Sequence, residues 1–317
     1  MELLLTNLTS AVVLAFALGL FARAVRSDLV IPDQIQTYLS IFLLLAIGLK
    51  GGVALRGQEP ATLALLLGMT LAAGAATAFS AYWLARAFLR DIPREAAAIA
   101  AHYGSVSAVT FIAANQFAER SGHAPEGVLV ALLVALEVPA LLIGLALGRS
   151  TQSDAASHHT LREVFTGKTA ILLLGGLAIG AISGPDGIKK VDAMYFALFQ
   201  GVLMLFMLDM GMIAANRLAE LRRGWLRLAA FATVVPLLHG IVGVLLAHAC
   251  GMSASSAGVF GAMLSSASYI AAPAAVRAGL PEADVGRCIT AALGLTFPFN
   301  LAIGIPLYAA LAQRLAG

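Results

Sequence analysis

Charge is what this sequence has least of. Only 12% of its residues are Asp, Glu, Lys or Arg, while 60% are hydrophobic and the mean hydropathy is +0.90. A soluble domain carries about 25% charged residues. Water would not tolerate that much apolar surface, so the bilayer is the solvent of most of this chain. The net charge of +3 and pI of 9.0 therefore do not point to nucleic acid. In a membrane protein, excess Lys and Arg belong mainly to cytoplasmic loops. Cysteine is nearly absent too: Cys250 and Cys288 alone argue against a disulfide framework or a cysteine metal centre.

Enzyme signatures are also missing. There is no Walker loop, no dinucleotide fingerprint and no zinc-protease pattern, so neither a cofactor nor catalysis is expected. His158-His159 reads as a chance pair in a polar stretch. Ser107 and His102, on a helix expected to be broken, lack a dependable nucleophile–base geometry. The amino-terminal apolar run has no basic region before it and leads into further apolar segments. Leu8 to Val25 is therefore expected to be a membrane span rather than a signal peptide.

Apolar length predicts an all-α polytopic protein of ten spans, at 7–25, 34–55, 61–88, 96–118, 127–148, 166–184, 193–215, 226–249, 255–276 and 287–313. The polar stretch 149–165 divides them into two sets of five, 1–148 and 166–317. With the amino terminus outside, the inner loops hold fourteen Lys and Arg residues and the outer set holds six: Lys50, Arg56, Arg120, Lys189, Lys190 and Arg314. That bias predicts both termini outside and the linker in the cytoplasm. An odd number of spans per half also turns the second half over relative to the first, the condition for an inverted repeat.

Short echoes occur in the same order in both halves. Gly48-Leu49-Lys50-Gly51-Gly52 ends the second span and Asp209-Met210-Gly211-Met212 lies late in the seventh. Glu137-Val138-Pro139 in the fifth answers Phe297-Pro298-Phe299-Asn300 in the tenth. The most informative echo is a pair of serine-rich, weakly helical stretches midway through the fourth and ninth spans. They read His102-Tyr103-Gly104-Ser105-Val106-Ser107 and Leu264-Ser265-Ser266-Ala267-Ser268-Tyr269. Paired interruptions of this kind point to the binding site of a secondary transporter.

Serines compete with the helix ladder for hydrogen bonds, and glycine adds backbone freedom. If both helices unwind there, the freed amides and the hydroxyls of Ser105, Ser107, Ser266 and Ser268 suit a small anion. The freed oxygens suit Na⁺. The competing reading is close packing of small residues between helices. Glu137 is a carboxylate inside a span, expensive unless paired, hydrated or bound to a cation or proton. Pro298 and Asn300 are read as a break in the last span, with a lining role set against simple kinking. Tyr103 and Tyr269 are candidates for the site wall, and His102 for a substrate contact or a satisfied bundle histidine. Lys50 and Arg56 are expected to snorkel to the interface, Asp209 to make a helix contact and His239 to pack at a kink.

The chain also resembles the sodium-dependent bicarbonate transporter family. The resemblance rests on Val30-Ile31-Pro32, Leu49-Lys50-Gly51-Gly52-Val53-Ala54-Leu55-Arg56, Gly104-Ser105-Val106-Ser107, Pro139-Ala140-Leu141 and Met210-Gly211-Met212. It continues through Pro236-Leu237-Leu238-His239-Gly240, Arg277-Ala278-Gly279-Leu280-Pro281 and Gly304-Ile305-Pro306-Leu307-Tyr308. It implies two inverted five-helix repeats with broken fourth and ninth spans. It also implies a gate of spans 1–2 and 6–7, a core of spans 3–5 and 8–10, and a homotrimer. The implied activity is Na⁺-coupled uptake of bicarbonate or a similar small monovalent anion by an elevator-type displacement. A proton-coupled or uncoupled small organic anion permease is the alternative.

Carried onto this sequence, the anion site comprises Gly104, Ser105, Val106, Ser107, Ser265, Ser266, Ala267 and Ser268, with sodium near the serines and Glu137. The reading of the residues adds Tyr269 to the expected anion site, and Pro298 and Asn300 to a cation site with Ser107, Glu137 and Ser268. The resemblance also implies a small cytoplasmic regulator of the PII type acting at the linker. The chain departs from the family pattern in four places, one of them the tenth span, where Thr296-Phe297-Pro298 replaces Gly-Thr-Pro. Tyr269 replaces an aspartate, Ala267 replaces a serine, and Glu137 stands where the fifth span has an aspartate.

Overall fold

The computed structural model describes residues 7–148, 166–219 and 225–317, and every regular element among them is helical. The linker 149–165, with His158 and His159, lies outside the described residues, so the expected docking place for a regulator does too. In chain order the helices are α1 (Ala11–Ala24), α2 (Asp33–Leu55), α3 (Pro60–Leu89), α4 (Pro93–Tyr103), α5 (Ala108–Arg120) and α6 (Val128–Gly148). The second half has α7 (Lys168–Lys189), α8 (Phe199–Ala219), α9 (Trp225–Ala249), α10 (Ala254–Leu264), α11 (Ala271–Gly279) and α12 (Val285–Ala316).

Among the described residues, eight helices are long and apolar enough to cross a membrane, with α4 and α5 counted as one interrupted crossing. The chain is thus a multi-pass membrane protein. Of the ten expected spans, the first is represented by the 14 residues of α1. The ninth is split between α10 and α11, neither long enough to cross alone.

Local chemistry sets the helix starts. Prolines occupy the first turn of α3 and α4, where a missing N–H costs nothing. The Ser10, Ser253 and Asp284 side chains accept from Val13, Ser256 and Arg287 N–H and so cap α1, α10 and α12. The sixth span, expected to end at 184, continues to Lys189 beyond a kink at Gly184, whose φ of +64° is followed by Pro185. With ψ at −175°, that backbone conformation is one essentially reserved for glycine, so any side chain at Gly184 would be strained.

The expected break at Phe297-Pro298 is not found. The segments Thr290–Thr296 and Asn300–Gly304 are π-helical, and the backbone stays right-handed throughout, with φ −63° and ψ −42° at Asn300. The wider turns absorb the ring and missing N–H of Pro298 without opening the helix. Likewise α6 runs unbroken through Pro139.

Two helix pairs approach at backbone distance. A Cβ on Gly176 of α7 would come within 2.8 Å of the Gly48 Cα on α2, and one on Gly211 of α8 within 3.0 Å of the Gly19 Cα on α1. Small residues permit such contacts in membranes. These pairs are joined by α2 against α8. The remaining helices form a second group with matching contacts in each half. There α3 packs on α6 as α9 packs on α12, and α4 packs on α6 as α10 packs on α12.

Charged contacts collect at the two ends of the bundle. Lys50 pairs with Glu119, and Arg120 donates to Gln200, at one end. Arg94 pairs with Glu282, and Arg287 with Asp91 at 3.0 Å, at the other. Each joins residues that the apolar pattern assigns to one side.

Candidate functional site

Helix α4 ends at Tyr103 and α5 begins at Ala108; α10 ends at Leu264 and α11 begins at Ala271. The two non-helical stretches left between them touch. Ser268 N–H donates to the His102 carbonyl at 2.8 Å, and Ser107 N–H donates to Ser266 Oγ at 2.8 Å. The expected breaks are therefore present, and they are hydrogen-bonded to each other.

Each break supplies the cap of the helix that follows. Ser107 Oγ accepts from Thr110 N–H at 3.2 Å, and Ser268 Oγ accepts from Ala272 N–H at 3.1 Å. The first N–H groups of α5 and α11 have no acceptor one turn back, as at any helix start. Two helix amino ends and two helix carboxyl ends thus meet in one place. The positive ends favour an anion, and the carbonyls released by α4 and α10 favour a cation.

The site is deeply buried. Ser105, Val106, Ser107, Ser265, Ser266, Ala267 and Ser268 are all at most 4% exposed. Backbone groups in such a place ordinarily find partners, and most of the hydroxyls serve that purpose. Ser266 Oγ donates to the Met263 carbonyl at 2.7 Å while accepting from Ser107. Ser265 Oγ lies 2.9 Å from the Ala262 carbonyl and 3.0 Å from Asn300 Oδ1.

Three buried polar atoms at the crossing have no partner among the described residues: Ser105 Oγ, His102 Nε2 and the Tyr269 hydroxyl. His102 Nδ1 lies 2.8 Å from the Ala98 carbonyl, which makes it the protonated nitrogen and leaves Nε2 a bare acceptor. The Tyr269 hydroxyl stands near the Ser107 side chain. Unpaired buried polar atoms are rare, and their clustering marks a place fitted for a ligand.

Other candidates have structural explanations. The φ of Gly104 is an ordinary −87°, and a Cβ there would come within 2.7 Å of the Ala78 Cα; close packing, not freedom, requires this glycine. Tyr103 donates to Thr296 Oγ1 at 2.8 Å, because the threonine's own proton goes to the Ala232 carbonyl at 2.7 Å. Asn300 supports the site from behind, its amide nitrogen donating to the Ser265 carbonyl at 2.9 Å. Pro298 is half-buried within α12.

Glu137 is not hydrogen-bonded to the serines. It faces a separate cavity of about 250 Å³, walled by Leu141, Lys168, Thr169, Ile270, Ala271 and Ala274. A neighbouring cavity of about 260 Å³ is lined by Gln36, Thr37, Ser40, Lys168, Arg217 and Tyr269. The first contains the candidate carboxylate, and the second runs from the crossing toward α2 and α8.

Some contacts were not visible in the sequence. His239 does more than pack at a kink, since its Nε2 lies 2.7 Å from Ser80 Oγ. Lys50, exposed near the end of its helix, is also ion-paired with Glu119. Asp209 interacts with Gln36 of α2 and Arg23 of α1, a helix contact as expected. Cys250 and Cys288 are both free. No cluster of three metal-ligating side chains occurs among the described residues.

The model of the Na⁺-dependent bicarbonate transporter superfamily covers residues 11–313, nearly the whole chain. No curated protein matches the sequence.

Proposed function

The chain belongs to the Na⁺-dependent bicarbonate transporter superfamily, and on that footing we propose that it takes up bicarbonate, or a similar small anion, together with Na⁺ by alternating access. The observation that carries this reading is the hydrogen-bonded crossing of the two serine breaks. It offers a buried, polar crossing at two helix amino ends, with Ser105 Oγ unused by the fold.

The two halves form an inverted repeat, a reading supported by their matching helix contacts. Helices α1, α2, α7 and α8, held together by the glycine contacts, act as the gate; the others form the core that carries the crossing past it in an elevator-like displacement. Assembly is a homotrimer in a bacterial inner membrane, with both termini outside and a PII-type regulator at the cytoplasmic linker. In the anion site the amides at the starts of α5 and α11 and the Ser105 hydroxyl bind the substrate, while carbonyls of the breaks hold Na⁺.

A second reading, proton-coupled or uncoupled transport of a small organic anion, is favoured by two observations. Tyr269 and Ala267 withhold oxygen ligands that the family pattern offers. Glu137, moreover, stands apart from the serines. Uptake of labelled bicarbonate into liposomes separates the two readings. Accumulation that rises with an imposed inward Na⁺ gradient supports the first. Accumulation that ignores Na⁺ but follows a proton gradient, or no ion gradient, supports the second.

A further inference from the structure

Glu137 is 4% exposed, yet no hydrogen bond or ion pair reaches it among the described residues. A carboxylate in that position needs a compensating cation or a proton. Its cavity offers few fixed ligands, so a cation bound at Glu137 exchanges readily with another positive group. Among the described residues only Thr169 adds a side-chain oxygen to that of Glu137 at the wall, and hard cations want several oxygen ligands. The wall does contain one cation, Lys168, and it comes from a different helix group. Glu137 lies on α6, packed with α3 and α4, whereas Lys168 begins α7, packed against α2.

Lys168 also lines the adjacent cavity that leads from Tyr269 toward α2 and α8. Its side chain therefore stands where the two cavities meet, on a flexible four-carbon stem. Lys168 is exposed here, and no ion pair joins it to Glu137. Any displacement of one helix group past the other changes the distance between these two residues.

We propose that Lys168 is a tethered counter-cation for Glu137, whose ammonium pairs with the carboxylate when no coupling cation is bound and withdraws when one is. The inference rests on the transport reading and deepens it by naming what neutralises the unloaded carrier. A transporter that must return empty cannot carry a bare carboxylate through the bilayer at low cost. A lysine on the stationary group screens that charge during the return and yields to the coupling cation on the loaded stroke. The chemistry is non-covalent, and no bond is made or broken.

The pairing predicts a split between two transport modes in liposomes. Lys168→Met should lower net bicarbonate uptake at least tenfold, because net uptake requires an empty return. Exchange between bicarbonate-loaded compartments, in which the carrier returns loaded, should change less than twofold. Lys168→Arg should restore net uptake. Equal loss of both modes, or net uptake unchanged in Lys168→Met, would overturn the proposal.

A second measurement does not depend on transport. In a Cys250→Ala, Cys288→Ala background, Glu137→Cys with Lys168→Cys is treated in membranes with a short thiol cross-linker. Efficient intramolecular cross-linking is expected. Its failure, with both thiols shown to be reactive, overturns the pairing whether or not the wild-type chain moves bicarbonate. If cross-linking succeeds but the wild type moves no bicarbonate, the pairing stands and the transport reading fails.

Discussion

Ser107 and Ser266 come from opposite halves of the chain and meet through a 2.8 Å bond in which the Ser107 main-chain N–H donates to Ser266 Oγ. Removing that acceptor strands a buried amide at the start of α5. Ser266→Ala should therefore destabilise the protein by about 1–3 kcal/mol, the usual cost of an unsatisfied buried group. The fall would appear as a lower midpoint of thermal unfolding in detergent. An unchanged midpoint would mean that the two breaks do not hold each other in place.

Ser105 makes the opposite case. Its hydroxyl is buried and serves no protein partner, so Ser105→Ala should leave thermal stability unchanged or slightly raised. A hydrogen bond to a charged ligand is worth about 1.5–3 kcal/mol. Its loss should raise the half-saturating bicarbonate concentration roughly tenfold or more in liposome uptake. Equal affinities in mutant and wild type would remove Ser105 from the site.

Asn300 is held to Ser265 by the donation from Nδ2 and by the contact at Oδ1. Asn300→Ala frees the Ser265 carbonyl and loosens the second break from α12. The expectation is a loss of about 1–3 kcal/mol in stability, with a lowered maximal uptake rate. Asn300→Asp keeps the acceptor but not the donor, and should recover only part of either loss.

The backbone contact between α1 and α8 leaves no room for side chains. A Cβ on Gly211 would overlap the Phe16 carbonyl oxygen, which no rotamer change can move aside. Gly211→Leu should therefore prevent these helices from docking, at a cost of at least about 1–3 kcal/mol. Size-exclusion chromatography should then show aggregated protein. A monodisperse, heat-stable Gly211→Leu protein would contradict the packing.

The Lys50–Glu119 pair reaches from α2 to the end of α5, beside the Arg120–Gln200 bond. The Lys50 side chain is 58% exposed, and pairs of that kind contribute about 0.2–1 kcal/mol. Glu119→Gln should accordingly shift the balance between carrier conformations by no more than about fivefold. Labelling of a cysteine placed at Asn115, measured with and without high salt, would detect it. Salt should mimic the substitution in the wild type and do little in the mutant.

The reading of the sequence succeeded where the relevant chemistry is local. The interruptions at Gly104–Ser107 and Ser265–Tyr269 follow from residue type alone. Pro298 misled, because a proline predicts a missing hydrogen bond but not the π-helical turns that accommodate it. Gly104 was read as a source of backbone freedom, whereas it packs on Ala78, a contact distant in sequence that residue type does not reveal. Glu137 was recognised as costly, yet its separation from the serines depends on how α6, α7 and α11 assemble. The Ser80–His239 and Asn300–Ser265 contacts are likewise products of assembly.

The crossing also imposes an order on biosynthesis. When α4 and α5 enter the membrane, the bonding partners of the His102 carbonyl and the Ser107 amide, Ser268 and Ser266, have yet to be translated. The first half must therefore wait with an incomplete helix, held by water, lipid headgroups or the insertion machinery, until α10 and α11 arrive. Two separately expressed halves, cut within the linker, should each be short-lived alone and protect one another from degradation when made together.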